Sequence, residues 1–150
     1  MTSIHEANKK TVRSLFEDRI NAGKLDTLAD LISDEYVGPQ GERGPAGMAK
    51  PVGALVRAFP DIRYTIDELM AEDDRVAIRW TWRGTHRGAF QGFPASNRPV
   101  ENAGTATFQL RSGKIVRQWQ LTDRLGFLQQ IGAVPAVADL ATRLQTANVP

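Results

Sequence analysis

Asp123 closes a run of alternating apolar and polar residues, Lys114 to about Thr122, and a carboxylate at the end of an apolar strand face is suited to proton transfer. Removal from water disfavours its charged form and lifts its pKa toward neutrality, where a general acid or base works best. The chain before it reads as a hairpin, with Val100 to Leu110 as one strand, Ser112-Gly113 as the turn and Lys114 onward as the return. A two-residue turn sets Arg111 against Lys114, Leu110 against Ile115, Phe108 against Arg117, Ala106 against Trp119, Gly104 against Leu121 and Asn102 against Asp123. One face then carries Ile115, Trp119, Leu121, Phe108, Leu110 and Ala106, and ends with Asp123 opposite Asn102. The Asn102 amide could hold an enolate oxygen or simply satisfy Asp123. Asp123 also has a purely structural reading, because Asp is a favoured N-cap and a helix is expected to begin at Arg124 or Leu125.

The remaining candidates each admit two roles. His86, in Gly-Thr-His-Arg-Gly at a strand end, is either a histidine at the solvent edge or a proton shuttle at a pocket rim. Tyr36 either gives its hydroxyl to a substrate oxygen or closes a helix–strand junction. Trp80 and Trp82 share a strand face, as core or as a platform for a planar ligand. Gln118 can orient a carbonyl but does not exchange a proton near pH 7. The glycine-rich stretch Gly38 to Gly47 lacks the Gly-Lys-Ser/Thr ending of a phosphate loop, which leaves a pocket lid as its functional option. Arg79, Thr81 and Arg83 read as a solvated or subunit-contacting face.

The elements that must position these residues follow from periodicity. Residues 3–20 form an amphipathic helix opened by a Ser3/Glu6 capping box and carrying Val12, Leu15, Phe16 and Ile20 on one stripe. A second, shorter helix fits Leu25 to Ile32, followed by Asp34-Glu35-Tyr36-Val37 leading into the break Gly38-Pro39-Gln40-Gly41. A loop and a helix near 51–58 come next. From Ile62 the period is two: Ile62, Tyr64 and Ile66, then, after Glu72-Asp73-Asp74, Val76, Ile78, Trp80 and Trp82. Gly88 to Pro99 is a loop before the long hairpin, Leu125 to Ile131 a last helical turn or two, and 133–150 a weakly helical tail. Helices first and antiparallel strands second is the pattern of a single α+β domain, with helices over one face of a curved sheet and a pocket beneath them.

Composition narrows the chemistry. The 150 residues include no Cys and only two His, His5 and His86, which excludes disulfides, thiolate zinc sites, cysteine nucleophiles and polyhistidine metal sites. Nineteen Lys plus Arg against 17 Asp plus Glu, interleaved, give no basic stripe for nucleic acid. The apolar runs are too short to span a membrane, and MTSIHEANKK has no signal-peptide core, so a cytoplasmic location is expected, with no membrane partner.

The stretch Gly113–Gly132, GKIVRQWQLTDRLGFLQQIG, resembles the closing signature of the SnoaL-like polyketide cyclases. Asp34-Glu35-Tyr36-Val37, Ala58-Phe59-Pro60-Asp61-Ile62-Arg63-Tyr64, Asp74-Arg75-Val76-Ala77 and Gly84-Thr85-His86-Arg87-Gly88 agree in order and spacing, so the resemblance runs from about Ala7 to Gly132. It implies a cone-shaped α+β barrel of the nuclear transport factor 2 type. It also implies a cofactor-free, metal-free aldol closure in which a pocket aspartate moves the proton, and Trp119-x-x-x-Asp123 matches that aspartate's setting. Relatives often carry His just before the Trp, where this chain has Gln118, and His after Tyr-Val, where it has Gly38-Pro39.

The expectation is therefore a cyclase or isomerase acting on a small apolar carbonyl compound. Asp123, Asn102, Gln118 and His86 would be its chemical groups, with Tyr36, Trp80, Trp82, Phe108, Trp119 and Leu121 around the substrate. A hydrolase or dehydratase variant, and a non-catalytic binding module of the same fold, remain open. The resemblance further implies a homodimer.

Overall fold

The computed structural model describes residues 2–147, so the last three residues of the expected helical tail lie outside the described residues. Helix α1, Ile4–Ser14, starts where the cap predicts, with the Ser3 hydroxyl accepting the Glu6 N–H at 3.2 Å. It continues as a π-helical turn, Leu15–Ile20, that buries Leu15, Phe16 and Ile20. The wider turn brings Asn21 to the sheet, where its side chain donates to the Tyr64 carbonyl (2.9 Å) and accepts the Tyr64 N–H (2.7 Å), like one residue of an added strand.

Leu25–Asp30 is a 3₁₀ helix, and Ile32–Val37 is a strand, β1, where the sequence suggested only a lead into a break. Two inward residues, Ile32 and Tyr36, are too few to show an alternating pattern. Helix α2, Gly44–Ala58, is longer than the expected 51–58. Pro45 sits in its first turn, where no N–H is needed, and Pro51 lies inside it at the loss of one backbone bond.

Strands β2 (Arg63–Glu72), β3 (Arg75–Thr85), β4 (Pro99–Arg111) and β5 (Lys114–Thr122) follow, then the helices α3 (Arg124–Gln130) and α4 (Val137–Ala147). The five strands form one open, mixed sheet in the order β1-β5-β4-β3-β2, with only β1–β5 parallel. Among the described residues no strand pair closes it into a barrel. Helices α1 and α2 cover the inner face, and the core lies between them and Val76, Ile78, Trp80, Trp82, Phe108 and Ile115.

Register in the last hairpin departs from expectation after two pairs. Ser112 (φ 52°) and Gly113 (φ 77°) make the two-residue turn, and Arg111–Lys114 and Leu110–Ile115 pair as predicted. A bulge at Val116 then sets Gln109 against Arg117 and Phe108 against Gln118. One extra residue exchanges the two faces beyond it. Gln118 is buried, whereas Trp119 and Leu121 point outward, Leu121 with 79% of its surface exposed. The guanidinium groups of Arg75 and Arg117 each lie over the Trp119 ring, 4.9 and 4.8 Å from its centre. On that outer face Met70, Ala77, Thr107 and Trp119 form one row across four strands.

Candidate active site

Between α1, α2 and the inner face of the sheet lies a cavity of about 620 Å³. Leu15, Phe16, Met48, Leu55, Tyr64 and Phe108 give it an apolar interior. Its polar groups come from two strands and one turn: Tyr36 at the end of β1, Gln118, Gln120 and Thr122 along β5, and Gln40 and Glu42 from the turn after β1. Arg124, the first residue of α3, and Gln91, in the loop between β3 and β4, complete the rim.

The parallel pairing of β1 with β5 sets these side chains against one another. Tyr36 Oη donates to Gln118 Oε1 at 2.8 Å, and Gln118 Nε2 donates to Gln120 Oε1 at 2.7 Å. Each donor polarises the next, and the directed chain ends on the Gln120 amide nitrogen, which is left to donate at the open end. Burial first, and then the Glu42 charge, push the Tyr36 phenol above the ordinary tyrosine range, so it is a neutral donor at physiological pH. Burial alone does the same for Tyr64.

A shallower groove of about 450 Å³ opens at Asp61, Arg63, Arg83 and Glu101. Asp61 there accepts the Thr85 N–H (2.7 Å) and hydroxyl (2.8 Å), which hold its carboxyl below the usual range. A carboxylate so occupied is structural, and the larger cavity is the candidate site.

The bulge explains where the sequence candidates fall. Asp123 is exposed and does not line the cavity. Its Oδ1 accepts the Gly126 N–H at 2.9 Å as the N-cap of α3. Asn102 is buried on β4 beside its register partner Trp82 on β3, with its Oδ1 on the Ala103 N–H, and it does not line the cavity. His86 is neither at the solvent edge nor at the pocket rim. It is fully buried, stacked on Phe59 at 5.2 Å. Its Nδ1 accepts the Ser96 N–H at 3.2 Å, which places the proton on Nε2 and makes His86 an anchor for the 86–98 loop. Trp80 and Trp82 are core, and Trp119 and Leu121 lie on the opposite face of the sheet, so none of the four lines the cavity. Tyr36, Gln118 and Phe108 do line it. The sequence reading missed Glu42, Gln120, Thr122 and Arg124. The β5 residues among them were hidden by the bulge, and Glu42 by a turn whose fold-back leaves no periodic signal.

The cap makes a direct prediction. Asp123→Ala is expected to lower stability by about 1 kcal/mol, and Asp123→Asn by a few tenths at most, because Asn caps as well as Asp. Thermal denaturation of both variants checks this, and an Ala variant as stable as the parent refutes the cap.

Residues 10–131 match the family described as SnoaL-like polyketide cyclase. The aklanonic acid methyl ester cyclase DauD of Streptomyces sp. strain C5 is 29% identical over 120 residues, covering 75% of this chain and 74% of that protein. Wild-type IdmH from Streptomyces antibioticus superposes with a TM-score of 0.72 at 29% identity, over 83% of this chain and 98% of its own. A SnoaL-like protein from Jannaschia sp. CCS1 shares the fold with a TM-score of 0.81 at 23% identity, over 90% and 98%. With the family match spanning most of the sequence, the chain belongs to the SnoaL-like polyketide cyclases.

Proposed function

We propose that the cavity performs a cofactor-independent intramolecular aldol closure on an apolar, carbonyl-bearing compound. The observation that carries this is a single directed hydrogen-bond chain, Tyr36 to Gln118 to Gln120, on one wall of an otherwise largely apolar space. A substrate carbonyl at the Gln120 end receives a donor already polarised by the Tyr36 hydroxyl. Loss of a proton from the adjacent carbon sends the C–H electron pair onto that oxygen, and the donors stabilise the enolate there. The enolate carbon then bonds to a second carbonyl of the same molecule, whose oxygen takes up a proton. The apolar walls hold the two reacting carbons together and exclude water.

The name of DauD supplies the first compound to try, aklanonic acid methyl ester. Incubation with the protein is expected to give an isomer of unchanged mass and altered chromatographic retention, since the closure neither adds nor removes atoms. Gln120→Leu, which removes the donor that meets the substrate oxygen, should slow it by about 10²-fold, and Tyr36→Phe, which only weakens that donor through Gln118, should slow it by less. Tight binding without any isomer would favour the binding module instead.

A further inference from the structure

We infer that Glu42 is the proton acceptor of this cavity, the group that removes the substrate proton and later returns it. This rests on the cyclisation reading above. Among the described residues lining the cavity Glu42 is the only carboxylate and Arg124 the only cation, and neither takes part in an ion pair within 4 Å. The Glu42 carboxylate is therefore not tied up in an ion pair and stands open to a substrate.

The turn after β1 is built to present this side chain. Val37 bridges Arg43, the Gly38 N–H donates to the Glu42 carbonyl at 2.8 Å, and the Gly41 N–H donates to the Gly38 carbonyl at 3.1 Å. Gly41 takes the left-handed conformation (φ 88°) that such a tight return requires. Within the turn the Gln40 N–H donates to Glu42 Oε2 at 2.8 Å, which fixes one carboxylate oxygen and leaves Oε1 without a protein donor. Gly38 has no side chain where this carboxylate lies: a Cβ there would collide with Glu42 Oε2 and stand 3.0 Å from Tyr36 Oη. The space beside β1 is thus filled by a carboxylate reaching back from four residues on, next to the head of the hydrogen-bond chain. From there the Glu42 charge adds to burial in raising the Tyr36 phenol above its ordinary range.

The step balances without a co-reactant. The Glu42 carboxylate takes the proton from the carbon next to the substrate carbonyl, and the C–H pair becomes the enolate. After the new C–C bond forms, the protonated Glu42 gives the same proton to the alkoxide and is restored.

A planar probe tests the base independently of the natural substrate. In 5-nitrobenzisoxazole, a base removes the ring C–H proton, the freed pair makes the nitrile, and the N–O bond breaks to a coloured phenolate. The protein is expected to accelerate this elimination, with a rate that rises with pH as a carboxylate ionises. Glu42→Gln should lose about 10²-fold and the pH-dependent limb, and Asp123→Asn should stay near the parent rate. Glu42→Asp, which keeps the charge on a shorter arm, should retain a reduced rate and the limb, so a poorly folding Gln variant leaves the test intact. Equal rates for the parent and Glu42→Gln overturn the assignment, since a carboxylate that merely closes its turn would leave the elimination untouched. Loss in Asp123→Asn alone also overturns it and returns the role to Asp123. Glu42-dependent elimination without cyclisation of aklanonic acid methyl ester supports the base and removes only the substrate reading.

Discussion

Gly38→Ala is expected to remove most of the Glu42-dependent rate while leaving the fold as stable as before. The added methyl needs the position occupied by Glu42 Oε2, the end of a flexible side chain able to swing aside at little energetic cost, and its 3.0 Å approach to Tyr36 Oη asks only a few tenths of an ångström of the phenol. Gly38 does not have the positive φ that would make alanine strained. What changes is where the carboxylate sits: displaced from the Gln40 N–H, it loses the bond that fixed it toward the cavity. A misplacement of about 1 Å at a reacting group can lower a rate by about 10²-fold. Gly38 is a positioning residue in this account, so the signature is non-additivity. The double variant Gly38→Ala/Glu42→Gln should be no slower in benzisoxazole elimination than Glu42→Gln alone, and both should melt within a degree or two of the parent. Multiplying losses would mean that Gly38 acts through something other than Glu42.

Most of the architecture was legible because it rests on long periodic runs. The α1 stripe and the alternation along β3 and β4 each bury one continuous face, and such patterns survive small errors of boundary. The site was legible only in part, for three physical reasons. The bulge at Val116 inserts one residue, and everything beyond it changes face, so Gln118 is moved inward and Trp119, Leu121 and Asp123 are moved out. Nothing local in Ile115-Val116-Arg117 marks a bulge, and both Ile115 and Val116 are buried. Glu42 depends on a fold-back of the chain across Gly38, a contact made by tertiary shape rather than by spacing. His86 was misplaced because a strand-end histidine flanked by Gly and Arg looks exposed, whereas the loop from 86 to 98 returns over it and Phe59 stacks beneath it. Family resemblance located the right end of the sheet without showing which side chains face the cavity.

Gly104→Val is expected to be the most destabilising change near the site, at about 3 kcal/mol or more. Gly104 lies on β4 between Trp80 on β3 and Thr122 on β5. A Cβ at this position would collide with Trp80 Cζ2, stand 2.6 Å from Trp80 Cη2 and lie 2.8 Å from the Leu121 carbonyl oxygen. Unlike the Glu42 carboxylate, these obstacles cannot step aside: the indole is 2% exposed in the centre of the core, and the carbonyl is backbone in the neighbouring strand. Overpacking of a well-filled core costs about 1–3 kcal/mol, and a branched side chain against a rigid ring and a strand lies at or beyond the upper end. For a domain of this size the melting temperature should fall by roughly 6–12 °C, followed by the fluorescence of the buried tryptophans. Thr105→Val, the same final side chain one residue along on the exposed outer face, should change stability by no more than about 0.5 kcal/mol. The consequence reaches the chemistry, because any relief of the clash pushes β5 away at Leu121, between Gln120 and Thr122. Those are the residues at the donor end of the chain, so Gly104→Val should slow cyclisation even below its melting range, while Thr105→Val leaves it unchanged.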